Sequence, residues 1–210
     1  MTEIIIARHG ETVWNVEEVF RGRTDIELNE TGLQQAQLLG EYLSHEKIEA
    51  VYASPLKRAL QTAEAVAHQH NLKVSITPAL IDFSFGIWQG LSLQKVKENY
   101  PVLFNEWADH PERVKIPGGE TLQEVRERTL PLIDDVVSRH SGTVVLVSHR
   151  AVNKVLMCAL LGLDNSHFWN IKQDTCGISI FSYENARFVL TRHNDTSFLK
   201  PLEKAPLRDF

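Results

Sequence analysis

Two short aliphatic runs, Ile4-Ile5-Ile6 and Thr143-Val144-Val145-Leu146-Val147, constrain this 210-residue chain more than any other feature. Neither alternates apolar with polar residues, so each predicts a strand buried on both faces. Such a strand needs helices above and below it, and the intervening sequence supplies them. From Thr31 to Lys47 the residues Leu33, Ala36, Leu39, Tyr42 and Leu43 form an apolar stripe, and Thr31 with Gln34 reads as its N-terminal cap. Ala50 to Ser54 reads as a second strand. Pro55 then stands at the first position of a helix to about His70, and Lys73 to Thr77 reads as a third strand. Thr121 and Glu124 form a capping box for a helix to His140, with a kink expected at Pro131. After Ser148-His149 another helix runs to about Leu161, and a hairpin is expected around Glu184-Asn185. Strands alternating with helices give an α/β chain, a three-layer α/β/α arrangement with a mostly parallel central sheet. Leu80 to Pro117 is less regular and reads as an insertion of short helices, leaving one domain, 1–210, with the insertion at about 80–120 covering the site.

Composition narrows the function classes. Lysines and arginines number 22 against 27 acidic residues, a net charge of −5. A general nucleic-acid binder or an anionic-membrane binder is not expected, although a local basic pocket is compatible with that balance. The run Val155 to Leu163 is too short to span a bilayer, and the N-terminal stretch is too short for a signal segment. Two cysteines, Cys158 and Cys176, without a CxxC pattern suit reduced, buried thiols in a cytoplasmic protein. The nine histidines raise the question of metal. His68 and His70 are two apart on a helix, face different sides and cannot chelate together, so no metal and no cofactor is expected.

In a parallel α/β sheet, ligands gather beyond the carboxyl ends of the strands. Arg8-His9, Ser54 to Arg58 and Ser148-His149 all follow predicted strands and so converge on one mouth. Arginine forks match a phosphate bidentately, and a neutral imidazole can attack phosphorus, splitting one difficult transfer into two easier ones. A third group, usually a carboxylic acid, must protonate the leaving oxygen and later activate water.

Four strings carry a resemblance. Ile6-Ala7-Arg8-His9-Gly10-Glu11-Thr12-Val13-Trp14-Asn15 resembles the phosphohistidine signature of the histidine phosphatase superfamily. Phe20-Arg21-Gly22-Arg23-Thr24-Asp25 through Gly32 is similar to its next block. Ser54-Pro55-Leu56-Lys57-Arg58-Ala59-Leu60-Gln61-Thr62-Ala63 resembles the segment with the second phosphate-binding arginine, and Val147-Ser148-His149 the segment with the second histidine. The resemblance is to the phosphoglycerate mutase-like branch and implies that fold. It implies His9 as nucleophile, with Arg8, Arg58 and His149 on the phosphoryl group and Asn15 and Arg21 adding contacts.

Two positions depart from the pattern. The proton donor of the family is usually a glutamate in a Leu-x-Glu block, and here the block reads Leu80-Ile81-Asp82, shorter in reach by about 1.5 Å. Asp82 is the expected donor, with Glu11 the alternative. Arg150 stands where the family often has glycine, at the mouth, and either points away or binds an acidic substrate tail. The expected activity is metal-independent hydrolysis of a small phosphorylated metabolite. A phosphoglycerate mutase of the same fold and an inactive phospho-ligand-binding module are the alternatives, and a homodimer is left open.

Overall fold

A computed structural model describes residues 1–202. In chain order it contains β1 (Thr2–Arg8), α1 (Val13–Val16), α2 (Glu30–Leu43), β2 (Ile48–Ala53), α3 (Lys57–Gln69), β3 (Val74–Ile76), α4 (Leu93–Asn99), α5 (Pro101–Asp109), α6 (Leu122–Arg139), β4 (Thr143–Ser148), α7 (Arg150–Leu160), β5 (Ile178–Glu184) and β6 (Arg187–Asp195). The strands form one six-stranded sheet in the order β3-β2-β4-β1-β5-β6. β1 and β2 flank β4, and β3 flanks β2, all in parallel. β5 runs antiparallel to β1, and β6 antiparallel to β5.

The two aliphatic runs occupy the middle of this sheet, where both faces are covered. Along β1, Ile5 and Ala7 pack toward Leu39 and Leu43 of α2 and Ala59, Ala63 and Val66 of α3. Ile4 and Ile6 face the other way, into Ile133 and Val136 of α6 and Leu156, Met157 and Leu160 of α7. β4 divides in the same manner, Val145 and Val147 against Val144 and Leu146. Period-two alternation therefore survives, with apolar residues wanted on both faces. A third cluster gathers Phe83, Phe85, Trp88 and Trp107 from the irregular 80–120 stretch with Phe20 and Phe168. Its rings meet edge-on or offset, with Phe83–Phe85 centroids 4.8 Å apart and Trp107–Phe168 5.4 Å apart.

Local details differ from the sequence expectation in instructive ways. The cap of α2 is Asn29, whose side chain accepts from the Gly32 N–H, and not Thr31. The buried face of α2 is Gly32, Gln35, Ala36, Leu39, Gly40 and Leu43, while Leu33 is half exposed. Pro55 precedes the Leu56 cap of α3 instead of opening the helix. The Thr121–Glu124 capping box forms as expected, and α6 continues through Pro131. The hairpin turns on Asn185 and Ala186, both with positive φ. Both cysteines are buried and unlinked.

One glycine ties the fold to the loop after β1. A Cβ on Gly32 would lie 2.0 Å from the Glu11 carbonyl oxygen, because the first turn of α2 packs directly on the Gly10-Glu11 backbone. Gly32→Ala gains about 1 kcal/mol in helix propensity. The clash is with backbone, which no rotamer change relieves, and such overpacking costs about 1–3 kcal/mol. The variant is expected to unfold at lower urea than the parent; an equal or higher midpoint contradicts this close approach.

Candidate active site

The strand ends converge as a direct result of the parallel pairing. Arg8 lies opposite Ser148 in the β1–β4 register. The next residues continue it: the His9 N–H donates to the Ser148 carbonyl at 3.0 Å, and the Ser54 N–H to the Val147 carbonyl at 3.1 Å. His9, Ser54 and His149 thus follow three adjacent strands side by side. The His9 and His149 rings are 5.2 Å apart between centroids, and both residues are buried.

Each side chain has a defined anchor. His9 Nδ1 is 2.6 Å from the Gly10 carbonyl oxygen. A carbonyl only accepts, so Nδ1 carries the proton and Nε2 keeps its lone pair. His149 Nε2 is 2.8 Å from Ser54 Oγ, and its Nδ1 lies 3.6 Å from Asp82 Oδ2. Arg58, in the first turn of α3, is fully buried. Its guanidinium donates to the Thr24 carbonyl at 2.9 Å, the Gly22 carbonyl at 2.7 Å and Asp82 Oδ2 at 2.9 Å. Arg8 donates to the Gln173 carbonyl, from the segment just before β5. Asn15 Oδ1 accepts from the Thr12 N–H and hydroxyl, both at 2.9 Å, so this residue closes the loop after β1 and its amide nitrogen remains a donor.

The charges in this cluster are uneven. Arg8, Arg21 and Arg58 are all buried, and Asp82 is the carboxylate paired directly with one of them. Burial and the neighbouring Arg8 and Arg58 push Arg21 well below the usual guanidinium range. Its Nε and one terminal nitrogen have no hydrogen-bond partner, nor does Nε of Arg58. Buried, unsatisfied guanidinium donors call for an acceptor, and a tetrahedral oxyanion supplies several. Burial, then Arg58, holds both imidazoles well below the ordinary histidine range; His149 and Arg8 add to this at His9, and Arg21 and Arg128 at His149.

The structure brings Arg8, His9, Arg21, Arg58, Asp82 and His149 together. Arg150, the first residue of α7, is partly buried and close enough to add its charge to the field at Arg21. Glu11 is buried too, but its carboxylate accepts from the Asn29 side chain at 2.9 Å and its N–H donates to Gln35. Its described bonds therefore go to the start of α2, whereas those of Asp82 go into the cluster. Arg23 is half exposed and pairs with Glu120 at 2.7 Å. Gln173, Ser54 and Thr62, whose hydroxyl accepts from the Gly10 N–H at 3.0 Å, support the site without having been marked by any chemistry in the sequence. Among the described residues no group of three or more His, Cys, Asp or Glu is placed to hold a metal ion.

An excess of buried guanidinium charge around a buried imidazole, at the carboxyl end of a parallel sheet, suits the class of α/β enzyme that binds a phosphoryl group. Comparison with known proteins makes the class specific. The profile of the histidine phosphatase superfamily (branch 1) matches residues 4–196, and the chain belongs to that superfamily. It is a phosphatase that hydrolyses phosphomonoesters. Phosphoserine phosphatase 1 of Hydrogenobacter thermophilus is 38% identical over 200 residues, which are 95% of each chain. YhfR of Bacillus stearothermophilus superposes with a TM-score of 0.90 at 30% identity, covering 95% of this chain and 100% of the other. A mutant of the phosphoserine phosphatase of Entamoeba histolytica, in complex with phosphoserine, superposes with a TM-score of 0.85 at 28% identity, covering 95% and 100%.

The lowered histidines give a solution test. At pH 6.5 an ordinary histidine is about half protonated. Nitrogen NMR of the ligand-free enzyme at that pH is expected to show His9 and His149 neutral, His9 as the Nδ1–H tautomer. Because their folded values lie below the unfolded one, protonation opposes folding, so their contribution to stability is present above about pH 6.5 and is lost as pH falls below it. Half-protonated signals for both at pH 6.5 contradict the burial argument.

Proposed function

We propose that His9 is the nucleophile of a two-step hydrolysis and that Asp82 is its proton donor. Arg8, Arg21 and Arg58 take the phosphoryl oxygens, with Asn15 and His149 adding donors. His9 Nε2 forms a bond to phosphorus as the ester P–O bond breaks, and Asp82 passes a proton to the departing oxygen. Asp82, now a carboxylate, takes a proton from water as that water attacks the phosphohistidine, which releases phosphate and free His9. An arriving phosphomonoester monoanion competes with Asp82 for the Arg58 fork; the displaced Asp82 carboxylate takes up the proton of that monoanion, and this is the proton it passes to the departing oxygen. The observation that carries the reading is Asp82 Oδ2 lying within 2.9 Å of Arg58 and 3.6 Å of His149, with Glu11 engaged elsewhere.

The substrate class proposed is a small phosphomonoester with a carboxylate near the phosphate, phosphoserine being its simplest representative. Two of the similar proteins carry phosphoserine phosphatase in their names. The additional cation, Arg150, supports the same reading, since a phosphorylated acid brings negative charge beyond the phosphate. Residues 80–120 would then cover the leaving group.

Steady-state kinetics on phosphoserine and on propyl phosphate, which lacks the carboxylate, test both parts. Asp82→Asn is expected to lose about 10²–10⁴ in kcat on phosphoserine, the usual worth of a positioned acid, with Glu11→Gln losing far less. Arg150→Ala is expected to raise KM for phosphoserine and leave propyl phosphate nearly unchanged. A dead Glu11→Gln beside an active Asp82→Asn reverses the assignment of the donor. Equal kcat/KM on the two substrates in the parent removes the carboxylate from the substrate.

A further inference from the structure

Asp82 stands on irregular backbone between β3 and α4, and its side chain is one methylene shorter than the glutamate that the related pattern carries there. Reach must therefore come from the main chain. Four successive carbonyls of this segment are held by side chains from other parts of the fold. Arg128, on α6, donates to Ala79 at 2.5 Å and to Ile81 at 2.7 Å, with a longer contact to Asp82 at 3.4 Å. Ser148, at the end of β4, donates to Leu80 at 2.7 Å, and Arg23 reaches the Asp82 carbonyl at 3.4 Å. Glu120 locks the other side: its N–H donates to the Ser84 carbonyl at 2.9 Å, and its carboxylate accepts from the Ser84 N–H at 3.1 Å. The same carboxylate pairs with Arg128 at 3.1 Å and with Arg23 at 2.7 Å. Gly119 allows the approach, since a Cβ there would lie 2.4 Å from the Ser84 carbonyl oxygen. The segment is gripped on both flanks of the carboxyl group, and Asp82 Oδ1 itself accepts from the Phe83 N–H at 2.8 Å.

We propose that Arg128, braced by Glu120, is a positioning residue that sets the Asp82 carboxyl at the leaving oxygen. This rests on Asp82 as the proton donor. Arg128 makes no described hydrogen bond to His9, His149 or the Asp82 carboxyl; besides the charge it adds near His149, it acts through the main chain of residues 79–82. Arginine suits the task because its fork spans two carbonyls and a carboxylate at once, which lysine cannot do. A group that only satisfied loop carbonyls would support stability and leave the proton transfer no more affected than any other step.

Leaving-group dependence separates the two. The value of kcat/KM reports the steps up to phosphoryl transfer onto His9. Phenyl phosphate needs its oxygen protonated as it leaves, whereas p-nitrophenolate departs readily without a proton. The ratio of kcat/KM for p-nitrophenyl phosphate over phenyl phosphate is therefore a gauge of the acid. Asp82→Asn is expected to raise that ratio by about 100-fold. Arg128→Ala is expected to raise it in the same direction by about tenfold or more, since a shift of about 1 Å at a catalytic group costs up to about 100-fold. Arg128→Lys should give an intermediate ratio, and Glu120→Gln a smaller rise of the same sign, which keeps the test available if Arg128→Ala folds poorly. If Asp82→Asn raises the ratio while the Arg128 and Glu120 variants slow both substrates equally, Arg128 is structural only and the inference is overturned. If Asp82→Asn itself leaves the ratio at the parent value, the donor assignment falls, and the role of Arg128 falls with it.

Discussion

The rest of the site depends on an electrostatic imbalance. Three arginines, Arg8, Arg21 and Arg58, are buried around two imidazoles, and the carboxylate paired directly with the group is Asp82. Like charges held close in a low-dielectric surrounding repel strongly, and burial removes the water that would screen them. Arg21 shows the strain most directly, with burial and its two arginine neighbours all working against its charged form. Burial first, and then the same imbalance, lowers the pKa of His9 and His149, which favours the lone pair that the proposed attack by His9 needs. A phosphate dianion bound as proposed would relieve the repulsion and fill the open donors of Arg21 and Arg58. In the proposed mechanism, binding and activation are thus one physical arrangement: the charges that would attract the phosphate also favour the neutral form of His9.

Such a cluster costs stability, and the fold offsets it with a stiff frame. β1 and β4 lie in the middle of the sheet, covered on both faces by aliphatic packing, and they deliver Arg8-His9 and Ser148-His149 in fixed register. Arg8 is tied to Gln173 from the segment before β5, and Arg58 to the Gly22 and Thr24 carbonyls. The contact of Gly32 with Glu11 seats the loop after β1 on α2. Asp82 stands on irregular backbone that does not directly follow a strand, and there side chains take over the role that strand pairing plays for His9 and His149. Arg128, Ser148, Arg23 and Glu120 hold an irregular segment whose carbonyls would otherwise lie buried without donors.

What could be read from the sequence follows the same division. Residues placed by strand ends and contiguous strings were visible in advance: Arg8, His9, Arg58 and His149 are adjacent to the runs that become β1, β2 and β4. Asp82 was visible through its place in the Leu80-Ile81-Asp82 block. The arginine and glutamate that hold it were not, because Arg128 binds main-chain carbonyls 46 to 49 residues away and Glu120 a main-chain N–H 36 residues away, and main-chain groups have no residue type. Glu120 stands just before the Thr121 cap of α6, and its carboxylate reaches Ser84 and two arginines. Leu33 joined the apolar stripe by spacing, yet the face that packs runs through Gly32, Gln35 and Gly40, because α2 approaches the Glu11 loop and α3 so closely that small residues are needed there. The cap of α2 moved to Asn29 because Asn29 also binds Glu11, a tertiary contact that local capping rules do not contain.

The central claim is that the neutral His9 imidazole becomes covalently phosphorylated. Rapid-quench mixing of the enzyme with ³²P-labelled phosphoserine tests it most directly. The account predicts a protein-bound label, stable in alkali and released by acid, that forms and decays at rates consistent with turnover, maps to the peptide containing His9 and is absent from His9→Ala. Turnover at the parent rate by His9→Ala, or a label on another residue, would contradict it.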